Sequence, residues 1–440
     1  MRPANRFAIF MVGTISLSGC DTFLGIEETP PLPGKRISIL VHEKTLEPDS
    51  AAADQKIILP APTVNPNWPQ AGGYPNHAMH HIKTSGNIQE AWSVNIGAGS
   101  DNQERLIAQP VVAEGRVYTM DANSEISAFD AKTGDDIWTT EITPDDEDDG
   151  HIGGGLAFED GKLFVTTGFA EVISLDASNG KILWRRNLEA PFRTAPTVRG
   201  NRVFALTLSN KLHALNGSTG ENLWSHSGIE EVTSFLGGAS PAVDSGVVIA
   251  PYSSGELVAL KVENGQVLWG DSLNSNRRYR SSTTLSSIRG RPVIDRGIVI
   301  AISNDGQIVA INLRTGRRIW DRAIGGIESP WVAGDFIFFL TNNSEMVAMT
   351  RQTGRIHWIR PLPQWEDLED QTGRIIWTGP VLASDRLIVA GSSGEALSIS
   401  PYSGTILGRV GMPDGVTIGP VAADNTLYFL SDDADLVAYR

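Results

Sequence analysis

Short runs of alternating apolar and polar residues recur along most of this chain, and a tight turn separates each run from the next. The pattern is clearest in AFDAKTGDDIW, at residues 128–138. There an apolar run ends, a polar segment closes on Thr-Gly, and a second run ends in Trp138. Alternation with a period of two residues predicts β-strands that bury one face, and Gly supplies the positive φ of a tight reversal.

The same stretch returns at a regular interval downstream. Successive tryptophans, counted from Trp92, are 38 to 51 residues apart. A four-stranded propeller blade needs about 40–50 residues, so this period predicts a β-propeller. The further copies lie at residues 174–184, 214–224, 259–269, 310–320, 348–358 and, in a degraded form that ends in Gly408 instead of Trp, 398–408.

We predict an all-β fold, an eight-bladed β-propeller of four-stranded antiparallel blades that occupies residues 86–440. The last unit begins at Pro420 and offers three strands before Arg440, whereas the segment around Trp92 reads as a fourth strand with no strands before it. We therefore predict that this N-terminal strand completes the last blade, because a closed ring leaves no open sheet edge. The seven preceding units start near Pro110, Gly153, Pro196, Pro241, Pro292, Pro330 and Pro380.

The recurring tryptophans are predicted to pack between blades. An indole on an outermost strand can bury about 150–250 Å² against the neighbouring sheet. Stacking on a ligand is the weaker alternative, because the residue recurs in each unit and not at one site. The predicted inter-blade residues are Trp92, Trp138, Trp184, Trp224, Trp269, Trp320 and Trp358.

Residues 1–19 have the features of a bacterial lipoprotein signal peptide. Arg2 and Arg6 precede an apolar stretch that is too short to span a bilayer. The following Leu-Ser-Gly-Cys resembles a lipobox, and this resemblance implies cleavage before Cys20 and acylation of Cys20, with several acyl chains giving stable anchoring. The alternative is an ordinary secretory signal with an incidental cysteine. Asp21 favours inner-membrane retention in some bacteria, so an outer-membrane and an inner-membrane anchor both stay open.

Residues 20–85 are predicted to form a lipid-anchored, Pro-rich tether. Within it, residues 67–74 (NWPQAGGY) are predicted to dock on the propeller. His77, His80 and His81 follow closely, but no carboxylate or thiol accompanies them at a metal-ligand spacing. We therefore favour a docking segment over a metal site.

Composition narrows the classes of function. The formal net charge is −15, and such an acidic balance disfavours nucleic acid as a partner. Cys20 is the only cysteine, so no disulfide can form within one chain. The chain has no Gly-x-Ser-x-Gly elbow, His-Glu-x-x-His motif, phosphate loop or Cys-x-x-Cys pair. We predict a protein that is not an enzyme and that carries no cofactor or metal.

The long loops are the predicted binding elements. They join the outer strand of one blade to the inner strand of the next, so they should gather on one face of the ring. Ser234, Phe235, Leu236 and Gly237 form the most apolar tip, which would either plug the central channel or anchor a partner. Arg289 belongs to an arginine-rich loop that would meet an acidic partner or lipid headgroups, or serve as a basic surface loop.

The blade signature resembles the pyrroloquinoline-quinone-like repeat, which two groups of proteins share. Quinoprotein dehydrogenases hold the quinone with a vicinal Cys-Cys disulfide, a Trp floor, and Ca²⁺ bound by acidic and amide side chains. This chain has no cysteine pair. Its lipobox, tether and blade count are instead similar to the BamB family of outer-membrane assembly factors.

The BamB resemblance implies a non-enzymatic scaffold on the periplasmic face of the outer membrane. It would be a monomer within a hetero-complex, binding the POTRA domains of a BamA-type insertase and other assembly lipoproteins during insertion of β-barrel proteins. The implied contact residues are Ser234, Phe235, Leu236, Gly237 and Arg289. Leu236 stands where the family carries Arg, and Ser287 and Arg289 stand where it carries acids. The alternatives are a quinone-dependent dehydrogenase and an envelope propeller that binds or senses a ligand.

Overall fold

Eight four-stranded antiparallel sheets form a closed ring in the computed structural model of this chain, which confirms the predicted propeller. The structure describes residues 46–440 apart from positions 54, 87, 102, 146–151, 232–236 and 275–286. Within the described part, the single helix is α1, Ser50–Ala53, and no helix is long and apolar enough to cross a membrane.

Blades are numbered from the first complete repeat, and the strands of each blade run from the axis outward. Blade 1 contains β2 (Val111–Ala113), β3 (Arg116–Met120), β4 (Glu125–Asp130) and β5 (Asp136–Glu141). Blade 2 contains β6 (Gly155–Glu159), β7 (Lys162–Thr166), β8 (Glu171–Asp176) and β9 (Ile182–Asn187). Blade 3 contains β10 (Thr197–Val198), β11 (Arg202–Leu206), β12 (Lys211–Asn216) and β13 (Asn222–Ser227). Blade 4 contains β14 (Ala242–Asp244), β15 (Val247–Pro251), β16 (Glu256–Lys261) and β17 (Val267–Ser272).

The second half of the ring follows the same order. Blade 5 contains β18 (Val293–Asp295), β19 (Ile298–Ser303), β20 (Gln307–Asn312) and β21 (Arg318–Arg322). Blade 6 contains β22 (Trp331–Ala333), β23 (Phe336–Leu340), β24 (Glu345–Thr350) and β25 (Ile356–Pro361), and an extra hairpin follows it, β26 (Trp365–Asp367) and β27 (Thr372–Arg374). Blade 7 contains β28 (Trp377–Ala383), β29 (Arg386–Gly391), β30 (Glu395–Ile399) and β31 (Ile406–Gly411). Blade 8 contains β32 (Val421–Ala423), β33 (Thr426–Leu430), β34 (Asp435–Tyr439) and, as its outer strand, β1 (Glu90–Asn95).

The first and the last strand of the chain close the ring. Strand β1 pairs antiparallel with β34, so Trp92 lies opposite Ala438, just as Trp138 lies opposite Ala128 in blade 1. The backbone amides of Gln89 and Arg440 each donate to the carbonyl of the other at 2.8 Å. This pairing confirms the predicted closure by an N-terminal strand.

Seven of the eight junctions between blades share one arrangement. The outer-strand indole donates its Nε1–H to a backbone carbonyl of the following blade, at 2.7–3.3 Å. A Cβ added to the glycine of the next blade's turn would come within 2.8 Å of the tryptophan, and each of these glycines has positive φ. The turn therefore requires glycine for its backbone angle and for clearance of the ring. The Trp–Gly pairs are Trp92–Gly134, Trp138–Gly180, Trp184–Gly220, Trp224–Gly265, Trp269–Gly316, Trp320–Gly354 and Trp358–Gly404.

Candidate functional site: the axial cavity and its rim

Residues 63–84, here called the axial segment, circle the inside of the ring. Backbone or side-chain groups of this segment hydrogen-bond to all eight blades, in ring order. Successive contacts join Asn65 to blade 8, Trp68 to blade 1, Pro69 to blade 2, Gln70 to blade 3, Pro75 to blade 4, Asn76 to blade 5, His80 to blade 6 and Ile82 to blade 7.

The individual bonds are short, and most of their partners lie on the innermost strands. Trp68 and Val112 exchange backbone bonds at 2.6 and 2.9 Å. The Gln70 side chain donates to the carbonyl of Val198 at 2.6 Å and accepts from its amide at 3.0 Å. Buried amides rarely remain unpaired, so these contacts satisfy the free edge that each inner strand presents to the axis.

The turn within this segment requires glycine. Gly73 has φ +102°, and a Cβ there would lie 2.1 Å from the Met79 sulfur. The Gly73 amide donates to the Gln70 carbonyl at 2.8 Å, and the Gln70 amide donates back at 3.0 Å. This reversal lets the chain turn inside the ring.

A cavity of ≈ 480 Å³ lies on the axis above this segment. Its floor contains Trp68, which is stacked on Trp331 with the ring centroids 6.2 Å apart. Its walls are the connections between blades, and all eight connections contribute. Representative wall residues, one from each connection, are Leu106, Gly154, Arg193, Gly237, Arg289, Glu328, Ile376 and Ile418.

The cavity is basic although the chain as a whole is acidic. Arg105, Arg193, Arg289 and Arg291 line it, and Glu328 is the one carboxylate among its described lining residues. Burial lowers the pKa of Arg291, Arg289 lowers it further, and Glu328 opposes both effects. The buried Arg291 Nε has no hydrogen-bond partner among the described residues. An excess of guanidinium groups in a concave site attracts anionic or acidic groups.

The structure brings two of the predicted contact residues together at this cavity. Gly237 and Arg289 both line it, and a Cβ at Gly237 would lie 3.7 Å from Arg289 Nε. Ser234, Phe235, Leu236 and Cys20 lie outside the described residues. The seven predicted inter-blade tryptophans lie at the junctions between blades, away from the axis.

Arg193 and Glu328 of this site were not predicted from the sequence, whereas Arg291 belongs to the predicted arginine-rich loop. Arg193 precedes the blade-opening Pro196 by three residues, and Glu328 precedes Pro330 by two. A charged residue just before a blade-opening proline was therefore the available signal.

The cavity residues do not fit a quinone with its calcium ion. The disulfide is not available, since Cys20 is the sole cysteine of the chain. Glu328 accepts from the Thr378 hydroxyl at 3.0 Å, and both ends of the Gln109 amide already bond to the backbone of Gly72 and Gly419. The described cavity residues thus do not supply the set of acids and amides that such an ion needs.

The three histidines of the axial segment make separate contacts. His77 Nδ1–H donates to the Pro292 carbonyl at 2.8 Å. His81 donates to the Pro60 carbonyl at 2.7 Å and accepts from the Asp385 amide at 2.9 Å. His80 Nε2 lies 3.6 Å from an Asp295 oxygen. Among the described residues, no group of three or more His, Cys, Asp or Glu side chains could hold a metal ion.

Mild acid should loosen the axial segment through His77. Burial, reinforced by Arg291, lowers the pKa of His77 to about 3 despite its bond to Pro292. The unfolded chain takes up this proton near its ordinary pKa of about 6.5, so stability falls as the pH drops below that value. Between pH 7 and pH 5 the expected loss is roughly 2 kcal/mol from this group.

Denaturant unfolding of the wild type and of His77→Gln at both pH values measures this effect. Burial also lowers the pKa of His213, His226 and His357, so the difference between the two proteins isolates His77. The variant should lose less stability on acidification. An identical loss in both proteins would show that His77 does not couple pH to the fold.

Comparison with known proteins identifies related sequences. The sequence model of the family described as "Outer membrane protein assembly factor BamB" matches residues 122–360, and a model described as "Glucose/ethanol/alcohol dehydrogenase, beta-propeller domain" matches residues 77–157. Uncharacterized protein RP232 of Rickettsia prowazekii (strain Madrid E) is 31% identical over 245 residues, which is 55% of this chain and 59% of that protein. The outer membrane protein assembly factor BamB of Shewanella oneidensis is 25% identical over 77% of this chain and 85% of its own length.

Solved structures show the same fold. BamB from Moraxella catarrhalis superimposes with a TM-score of 0.69 at 20% identity, covering 80% of this chain and all of that one. Quinohemoprotein alcohol dehydrogenase from Comamonas testosteroni superimposes with a TM-score of 0.64 at 14% identity, over 85% of this chain and 80% of its own. At such identities the likeness concerns the fold and not the function.

Proposed function

Because the chain belongs to the family of the outer membrane protein assembly factor BamB, whose sequence model matches more than half of it, we propose that it is a non-enzymatic scaffold for β-barrel assembly. It binds a BamA-type insertase through the rim of the axial cavity. Acylated Cys20 anchors it, either at the periplasmic face of the outer membrane or, given Asp21, at the inner membrane.

The observation that carries this proposal is the gathering of unlike loops around one basic opening. All eight connections between blades reach the cavity, whereas on the opposite face the turns between the third and fourth strands repeat one short motif. A rigid ring that presents variable loops on one face is suited to orient a partner. With its anchor in the outer membrane, the chain would be held near the insertase, which raises the local concentration of both proteins.

The charge of the opening indicates which partner surface it fits. Arg193, Arg289 and Arg291 should face an acidic segment of the insertase's periplasmic domains, since complementary charges speed encounter and set orientation. Arg289 stands where the BamB resemblance implies acids. We therefore propose that the charges at this contact are reversed relative to the family, with basic residues on this chain and acidic residues on its partner.

A pair of arginine variants tests the proposal. Arg289 belongs to the connection that enters blade 5, and Arg314 lies exposed in the turn on the opposite face of the same blade. Arg289→Glu should weaken capture of the insertase from solubilised envelopes about tenfold, while Arg314→Glu leaves it unchanged. The contact should also weaken as ionic strength rises. Equal capture by both variants would refute a contact through this rim.

A further inference from the structure

The junction between blades 7 and 8 lacks both members of the Trp–Gly pair that seals the other junctions. In blade 7, the cross-strand row is Ile388, Ser398 and Gly408. The same row in blade 1 is Tyr118, Ala128 and Trp138. Gly408 therefore occupies the position at which the other seven blades place their indole.

The covering turn is also missing on the other side of this junction. In the other blades, a glycine turn joins the third and fourth strands and lies over the indole of the preceding blade. In blade 8, β34 and β1 come from distant parts of the chain, so no turn connects them. Among the residues that the structure describes, nothing takes the place of the indole or of the covering turn at this junction.

The result is a groove of ≈ 510 Å³. Its walls include Ile388, Leu397 and Leu407 from blade 7, and Leu427, Phe429 and Tyr439 from blade 8. Leu407 remains 55% exposed and Val410 43% exposed, and both border this groove. This volume lies within the usual range of ligand sites, which are largely apolar with a few polar groups.

The edges of the groove are polar and carry positive charge. Arg386 and Arg409 line it. Arg409 forms a salt bridge with Glu395 at 2.8 Å. Arg386 donates to the Gly86 carbonyl at 2.9 Å, and this neutral partner does not compensate its positive charge. Strand β31 borders the groove and is the edge strand of its sheet, with five of its six residues exposed. An extended peptide can align along such an edge.

We propose that this groove binds an extended segment of a partner protein that inserts one large aromatic side chain and carries flanking acidic residues. The seven sealed junctions are the template for the aromatic group, because there an indole occupies the equivalent space. Arg386 and Arg409 are the complement of the acids. The groove lies at the outer part of the ring, so this contact is independent of the axial rim.

Three synthetic peptides test the proposal on the full mature chain in detergent: Asp-Thr-Trp-Thr-Asp, Asp-Thr-Ala-Thr-Asp and Lys-Thr-Trp-Thr-Lys, each acetylated and amidated. Calorimetric titration should give a Kd for the first peptide at least tenfold below the Kd of either other peptide. Gly408→Trp should weaken its binding at least tenfold by filling the groove. A Cβ at Gly408 would meet only the Ser398 hydroxyl, at 3.2 Å, so the ring has room to enter.

Two further variants make the test specific. Gly270→Trp places the same side chain in open space on an outer strand of blade 4, and it should bind the peptide like the wild type. Arg409→Glu should make the basic Trp peptide bind more tightly than the acidic Trp peptide. This variant changes the charge beside the groove and does not fill the space for the aromatic side chain. Equal binding of the Trp and Ala peptides, or wild-type binding by Gly408→Trp, would overturn the proposal. A concentration-dependent dimer abolished by Gly408→Trp would assign the groove to a second copy and would also overturn it.

Discussion

Trp68→Ala is expected to lower the free energy of unfolding by about 3–5 kcal/mol, the usual cost of removing a buried tryptophan. The side chain is 1% exposed and stacks on Trp331. Its backbone pairs with Val112 of blade 1. The substitution therefore leaves a void at the floor of the axial cavity, where blades 1 and 6 both contact the axial segment.

Chemical denaturation of Trp68→Ala and Trp365→Ala measures this effect. Trp365 is only partly buried, in the extra hairpin that follows blade 6, so its removal should cost much less. Limited proteolysis should cleave within residues 63–84 sooner in Trp68→Ala than in the wild type. A loss no greater than that of Trp365→Ala would show that the axial segment adds little to the stability of the ring.

The repeated part of the molecule could be predicted from the sequence because the same sequence pattern recurs in the successive blades. The alternation, the Thr-Gly turn and the terminal tryptophan have local causes that act within one unit. Closure also followed from counting, since a three-stranded unit near Arg440 and a single strand at Trp92 complete each other. These predictions agree with the observed ring.

The axial segment could not be predicted in the same way. Its contacts with the blades are isolated β-bridges and individual hydrogen bonds instead of a regular strand ladder. Such contacts leave no repeating pattern of apolar and polar residues in its sequence. Trp68 and Gln70 find their partners on strands of different blades, and only the assembled ring places those strands side by side. The docking of residues 67–74 could be anticipated from their composition, but the full turn around the axis could not.

The basic cavity could not be predicted from the sequence either. Arg193 and Arg291 are almost a hundred residues apart in sequence, and each belongs to a connection that does not repeat. They meet because the ring directs all eight connections towards the axis. Gly408 is a different case, since the loss of its tryptophan is visible in the sequence. Only the strand register shows that this loss opens a groove.

The second large effect is expected for Phe235 and Leu236, the predicted apolar tip of the loop before blade 4, which lie outside the described residues. Two adjacent apolar residues at such a predicted tip are suited to anchor a partner, because a few such residues carry most of the energy of an interface. Phe235→Asp with Leu236→Asp should therefore reduce capture of the insertase to below roughly a tenth of the wild-type level, which corresponds to more than about 1.4 kcal/mol of binding free energy.

The matched control is Leu223→Asp with Leu268→Asp. These leucines are also exposed, at 45% and 40%, but they lie on the outer strands of blades 3 and 4. Both double variants should retain the wild-type thermal stability and abundance in the envelope. Unchanged capture by the Phe235 and Leu236 variant would remove these two residues from the interface.

Crosslinking in intact cells, followed by mass spectrometric identification of the captured proteins, is the sharpest test of whether the rim of the axial cavity binds an insertase. A photoreactive residue at position 289 faces the rim of the axial cavity, and one at position 314 faces the opposite side of the same blade. We expect a BamA-type insertase to be crosslinked from position 289 and not from position 314. Absence of the insertase at position 289, in cells that contain both proteins, would contradict this expectation.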